Sequence, residues 1–214
     1  MKKAFALLLL AVAGLQLNVL SQNNSDENQE IKTLINKLDA HGFYVSMDMR
    51  YAVIKPTGAK NDAFNIGGRL TWIANHYLAI GMAGNGIIGS SFQNDVLMKK
   101  SLLTGGYGGL IIEPIIFPKK VIHLSIPVLI GGGGAMLTDS HHSHTQDPEY
   151  YFMDDQDNFF IVEPGIEAEL NVFKHFRLAA GAYYRFTNGV YLLGVKKNAL
   201  DGFSAGVSLK FGIF

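Results

Sequence analysis

The chain has no cysteine, no net charge and, beyond its first segment, no long apolar run. Without cysteine there are no disulfides, no thiol catalysis, no thiolate metal centre and no lipid-modified N-terminal cysteine. A formal charge of zero excludes the basic face that a nucleic acid or an anionic membrane surface would require. No stretch after Leu15 reaches the roughly 20 consecutive apolar residues of a membrane-spanning helix. What is abundant is glycine, with 24 residues, placed mostly inside apolar stretches where it ordinarily weakens a strand.

The N-terminal segment has the layout of a secretory signal peptide: basic Lys2 and Lys3, an apolar run from Ala4 to Leu15, then polar residues. Ala11 and Ala13 offer one small-residue cleavage pattern and Val19 and Ser21 another, and Ser21 sets the boundary at residues 1–21. An uncleaved anchor is the alternative, but the run is too short to span a bilayer. Loss of the two lysines leaves the mature chain slightly acidic. Residues 22–41 follow as a polar linker or a short amphipathic helix, with Ile31, Leu34, Ile35 and Leu38 at helical spacing behind a possible cap at Ser25.

After His41 the apolar period becomes two, and residues 42–214 read as one domain of eight strands. The predicted strands are 43–55, 63–74, 77–88, 105–117, 121–137, 159–173, 176–187 and 202–214. Each reaches the roughly 9–11 residues that cross a bilayer on a tilt. Asn75-His76, Pro118-Lys119-Lys120 and Lys174-His175 form tight connections, whereas 56–62, 89–104, 138–158 and 188–201 are longer. That alternation predicts an all-β, antiparallel up-and-down transmembrane barrel with short periplasmic turns and longer extracellular loops.

Successive strand side chains face opposite ways, so each strand divides into two sets. In the last strand Phe203, Ala205, Val207, Leu209, Phe211 and Ile213 oppose Ser204, Gly206, Ser208, Lys210, Gly212 and Phe214. The polar sets together hold Asp48, Glu113, Glu163, Glu167 and Glu169 against Arg50, Arg69, Arg177, Arg185 and Lys210. A lipid-facing Arg or Lys near mid-bilayer costs roughly 2–4 kcal/mol, so these groups are predicted to line the lumen as a charge network. Equal numbers permit pairing, and glycine and serine between them leave room for long side chains. A soluble eight-stranded barrel would reverse the faces, but its exterior would then be rich in glycine rather than in Lys and Glu. Trp72, Phe117, Phe173 and Phe176 stand near the short turns, where an aromatic girdle belongs.

The terminal segment Gly206-Val207-Ser208-Leu209-Lys210-Phe211-Gly212-Ile213-Phe214 resembles the C-terminal signature of outer-membrane β-barrel proteins. In that signature the final aromatic is read by the barrel-assembly machinery, which makes Phe211 and Phe214 the assembly signal. Here Ile213, Phe211 and Leu209 run out of phase with Phe214, a departure from the usual pattern. The span from about Gly42 onward resembles the small OmpA/OmpX-like outer-membrane barrels. Ile111-Ile112-Glu113-Pro114 and Phe160-Ile161-Val162-Glu163-Pro164-Gly165 are similar to segments of an uncharacterised group of such barrels. The resemblance implies fold and a Gram-negative outer-membrane location, and no activity.

Three sets of residues are candidates for more. His141, His142 and His144, followed by acidic residues, supply metal-ligand types at a spacing that matches no closed site. His123 and Ser125 share a strand face, and the pattern resembles the barrel enzymes that deacylate lipid A, with the histidine as base and the serine as nucleophile. Ile126 departs from that pattern, which has Asn after the Ser, and the pair lies by a short turn. Pro114, Pro127 and Pro164 interrupt three consecutive strands, where bulges would accommodate them, or where a weakened seam resembling that of the lipid A palmitoyltransferase barrel would admit an acyl chain. The reading adopted is a non-enzymatic barrel with a charged, plugged lumen and a structural or surface-interaction role through its loops. A lipid-modifying enzyme and a small pore are the alternatives. No cofactor is implied. Expected partners are outer-membrane lipid and, during biogenesis, the assembly machinery, with any extracellular ligand open.

Overall fold

The computed structural model describes residues 41–139 and 153–214. The signal peptide, the segment 22–40 and the histidines His141, His142 and His144 lie outside the described residues. Nine strand segments are formed: β1 His41–Ile54, β2 Asn61–Ala74, β3 Leu78–Asn94, β4 Lys99–Ile116, β5 Ile122–Ser125, β6 Val128–Asp139, β7 Met153–Phe173, β8 Phe176–Thr187 and β9 Gly202–Ile213. β5 and β6 are two halves of one stave interrupted at Ile126-Pro127, so the ring has eight staves. Every pairing is antiparallel between chain neighbours, and β1 closes the ring on β9 from Phe43↔Ile213 to Ala52↔Ser204. The fold is an eight-stranded up-and-down barrel.

The three tight connections stand at one end of the barrel. Asn75 and His76 adopt φ of 49° and 63° in the turn 75–77, closed by Tyr77 N donating to Ala74 O at 3.1 Å, and Asn and His tolerate this left-handed region better than most residues. At the other end the structure departs from the sequence reading. Residues 89–104, read as a loop, are mostly strand, and only 95–98 remain as a turn. A register shift between Ile88 and Ser91 swaps the phase of β3, which hid the alternation. Beyond it Phe92 and Asn94 point inward, and the Asn94 carboxamide accepts from the Val96 and Leu97 amides at 3.1 and 3.2 Å to hold the turn.

The prolines are accommodated without the expected bulges. Ile112↔Val128 and Ile115↔Ser125 keep one register across Pro114 and Pro127, as do Val128↔Pro164 and Ser125↔Glu167 on the other side. The Pro114 carbonyl accepts from Ile126 at 3.0 Å and the Pro127 carbonyl from Gly165 at 2.8 Å. A residue's N–H and C=O point to the same neighbour, so each proline deletes one donor from a different seam and shifts nothing.

The outward face is apolar from end to end. Phe43 and Tyr51 on β1, Trp72 and Phe64 on β2, and Phe211 and Phe203 on β9 are exposed, each pair eight residues apart. That spacing is about 26 Å along a strand, or about 20 Å of height at the usual barrel tilt. Between these aromatics stand Val45, Met47, Leu70, Ile66, Leu209 and Val207. Among the described residues no charged side chain faces outward within that band. Glycine is not confined to the lumen as the sequence reading had it. Gly68, Gly84, Gly108 and Gly132 form one outward row across β2, β3, β4 and β6, with Gly86, Gly106 and Gly134 in the row above. A Cβ at Gly84 or Gly86 would meet nothing closer than 3.9 or 3.8 Å, so these two glycines are not demanded by packing.

Candidate functional site

Strand alternation turns all ten predicted ionisable groups inward, and none is more than 6% exposed. Nine of them form a network across the half of the lumen nearest the short turns, and Arg185 lies beyond it. At its centre Lys210 Nζ lies 2.6 Å from Glu113, 2.6 Å from Glu169 and 2.8 Å from Glu167. Arg69 donates through Nε to Asp48 at 2.9 Å, through Nη1 to Glu113 at 3.2 Å and through Nη2 to Glu167. Arg50 reaches Glu163 at 2.7 Å and Asp48 at 3.4 Å, and Arg177 lies 3.6 Å from Glu169. Apart from Arg50 and Asp48, both on β1, these partners stand on different staves, so the ion pairs brace the ring from inside.

Tyrosines complete the layer, and the sequence reading missed them. Tyr44 donates to Glu113 at 2.6 Å, Tyr107 to Glu163 at 2.7 Å and Tyr183 to Glu167. The Arg50 guanidinium also lies 3.6 Å above the Tyr183 ring. Gly165 makes this possible, because a Cβ there would fall 2.2 Å from the Tyr183 ring. All three tyrosines share the inward phase with residues already assigned to the lumen, and that phase was the available signal.

Glu113, Glu167 and Glu169 bring carboxylate oxygens within 4.8 Å of one another, a spacing that suits a cation. Lys210 already supplies that cation, donating to Glu113 and Glu169 and ion-paired with Glu167. His123 and Ser125 are buried and do not bond to each other. His123 Nε2 lies 3.1 Å from Glu169, and Ser125 Oγ donates to Glu167 at 3.3 Å. Both side chains are built into the ionic layer instead of facing a substrate cleft.

Apolar groups close both sides of this layer. Towards the short turns Tyr44, Ile73, Ala79 and Ile115 form a small cluster with Phe214 packed against it. Phe214 stacks on Tyr44 at 6.0 Å and lies under Arg177 at 3.9 Å, while Phe211 faces outward against Phe176 at 4.8 Å. The out-of-phase C-terminus thus places its two aromatics on opposite faces of the wall. Towards the long loops Ile54, Ile87, Phe92, Leu103, Leu129, Leu137, Phe159 and Ile161 fill the lumen, and Val190, Leu192, Ala199 and Leu200 descend into it from the segment 188–201.

That segment is tied to the rim by Lys55 N to Ala199 O (2.8 Å), Lys196 N to Pro56 O (2.7 Å), Tyr191 N to Asp157 (2.7 Å) and Leu193 N to Asp155 (2.7 Å). Arg185 stands apart from the other lumenal cations. It lies in the apolar half, donates to the carbonyls of Leu200 at 3.1 Å and Val53 at 3.4 Å, and its Nη1 has no hydrogen-bond partner among the described residues. The five carboxylates are shared by the other four cations and His123, so equal numbers did not produce one-to-one pairing.

The sequence matches no family profile and no curated protein. The structure is similar to that of Neisserial surface protein A, with a TM-score of 0.50 and 14% identity over 80% of this chain and 96% of that one. OprG of Pseudomonas aeruginosa aligns at a TM-score of 0.46 and 11% identity, covering 81% and 96% of the two chains. The barrel domain of Pseudomonas aeruginosa OprF aligns at 0.44 and 10%, covering 81% and 97%. The likeness to the Neisserial protein establishes the fold as that of the small eight-stranded outer-membrane barrels. At such identity it carries no role.

Proposed function

We propose that this chain is an outer-membrane barrel with a sealed lumen, which serves as a structural or surface-interaction protein through its long-loop end. One observation carries the reading: an uncharged outer band bounded by aromatics surrounds ten buried ionisable groups. Water would tolerate that exterior poorly, and a bilayer would tolerate the interior nowhere else. The band suits acyl chains, with the aromatics at the two interfaces. The short turns then face the periplasm and the long loops the cell exterior. Outer-membrane lipid is the constant partner, and the C-terminal aromatics engage the assembly machinery during insertion. A leader at residues 1–21 accounts for export.

Sealing follows from the layer around Lys210. Its ion pairs leave no charge free to carry a hydrated ion, and apolar groups stand above and below it. The test has two arms. The native protein should sediment with the outer membrane and migrate faster on a gel unheated than heated, as a closed barrel does. Purified protein in planar bilayers should show no stable conducting steps. Recovery in the soluble fraction overturns the location, and reproducible single-channel steps overturn the seal.

A further inference from the structure

We propose that the apolar half of the lumen is a binding chamber for a fatty-acid-like carboxylate, with Arg185 as the group that holds its head and the segment 188–201 as its displaceable occupant. Arg185 is 1% exposed and, among the described residues, has no carboxylate within ion-pair distance. A buried guanidinium held only by neutral carbonyls is disfavoured relative to one that an anion completes. Ile87, Tyr107, Phe159, Ile161, Thr187 and Leu200 line a small space together with it. This environment is apolar apart from two hydroxyls, which suits a hydrocarbon body more than a sugar or a peptide.

The segment 188–201 shows what shape the chamber takes. It inserts four apolar side chains and directs one oxygen, the Leu200 carbonyl, onto Arg185 Nε. An aliphatic carboxylate reproduces that arrangement and adds what the carbonyl lacks, a second oxygen for the partnerless Nη1. Ser204, whose hydroxyl also has no partner, stands on the same inward face two residues from Gly202, the register partner of Arg185. Apart from these inserted side chains and the Leu200 carbonyl on Arg185, the ties that hold the segment run to the strand ends and rim. The segment can therefore lift without breaking the barrel wall. The ionic layer below stops the ligand, so the chamber is a pouch open to one side. This inference rests on the loop end facing outward.

The probe is dodecanoate, measured by equilibrium binding to the full chain in lipid nanodiscs, with dodecanol as its uncharged counterpart. The expected result is saturable binding of one dodecanoate per chain, weaker by at least about tenfold for dodecanol and for Arg185→Met. Folding of the variant is checked by heat-modifiable migration, and removing the charge favours burial. A second variant tests access. A Cβ at Gly194 would lie 2.7 Å from Asn94 Cγ, so Asn94→Cys with Gly194→Cys should tie the segment to the tip of β3 in an otherwise cysteine-free chain. Oxidation should abolish binding and reductant restore it. No saturable binding, equal binding of the alcohol, undiminished binding by Arg185→Met, or binding indifferent to the disulfide each overturns the chamber. Heat-modifiable migration alongside any of these leaves the membrane reading intact.

Discussion

The two halves of the lumen are filled by opposite means. Near the short turns the space is crossed by ion pairs from staves far apart in sequence, such as Lys210 with Glu113 and Arg50 with Glu163. Near the long loops it is filled by aliphatic side chains and by a segment of the chain folded back in. The difference lies in what each half tolerates. An apolar core loses stability in proportion to the volume removed. An ionic layer of shared carboxylates fails at a point, because one lost cation strands several charges at once.

Lys210→Met should therefore produce the largest effect. It leaves Glu113, Glu167 and Glu169 without the ammonium common to all three. The expected loss is about 3–5 kcal/mol, read as a fall in the urea midpoint for unfolding from lipid vesicles. If the midpoint moves no more than for an apolar truncation above the layer, the contrast between the halves is wrong. Gly165→Ala comes next. The added methyl collides with the Tyr183 ring, which is bonded to Glu167 and stacked under Arg50, and overpacking of this kind costs about 1–3 kcal/mol. Gly84→Ala on the outward face meets nothing closer than 3.9 Å and should leave the midpoint unchanged.

Leu192→Ala probes the other half. The side chain is buried beneath the rim, and its truncation should cost about 2 kcal/mol. Because the segment 188–201 is held to the rim by a few hydrogen bonds, the loss should appear as faster protease cleavage there more than as unfolding of the wall. Equal protection of wild type and variant would mean that the wall, not the inserted side chains, holds the segment down.

The ionic half was legible in the sequence and the apolar half was not. Charges at alternate positions of β1, β7, β8 and β9 have one place to go if the opposite set is oily, and period two separates the sets without knowledge of the fold. β8 has the expected bounds for the same reason. Nothing local marks Val190, Leu192, Ala199 and Leu200 as inward-folding, since a connection with Gly189 and Gly194 at positive φ reads as any exposed loop. The β3–β4 hairpin was concealed by one phase slip near Ser90 and by the polar run Ser90-Ser91. Pairing partners were equally hidden. Composition balanced five anions against five cations, but geometry spent every anion on the other cations and left Arg185 aside.

Tyr107 stands on the boundary between the halves and sharpens the comparison most finely. Its ring belongs to the apolar cluster, while its hydroxyl donates to Glu163 at 2.7 Å and accepts from Asn65 at 3.1 Å. Tyr107→Phe keeps the ring and removes the hydroxyl's two links, to Glu163 in the layer below and to Asn65. Glu163 retains Arg50, so no charge is stranded and the cost should be about 1 kcal/mol. Tyr107→Leu removes much of the ring as well and should cost about 2 kcal/mol more. If the two substitutions prove equal, the hydroxyl carries the residue's whole contribution and the ionic layer extends upward past Tyr107. If Tyr107→Phe is silent, the layer ends at Glu163 and Arg50, and the apolar half begins directly above them.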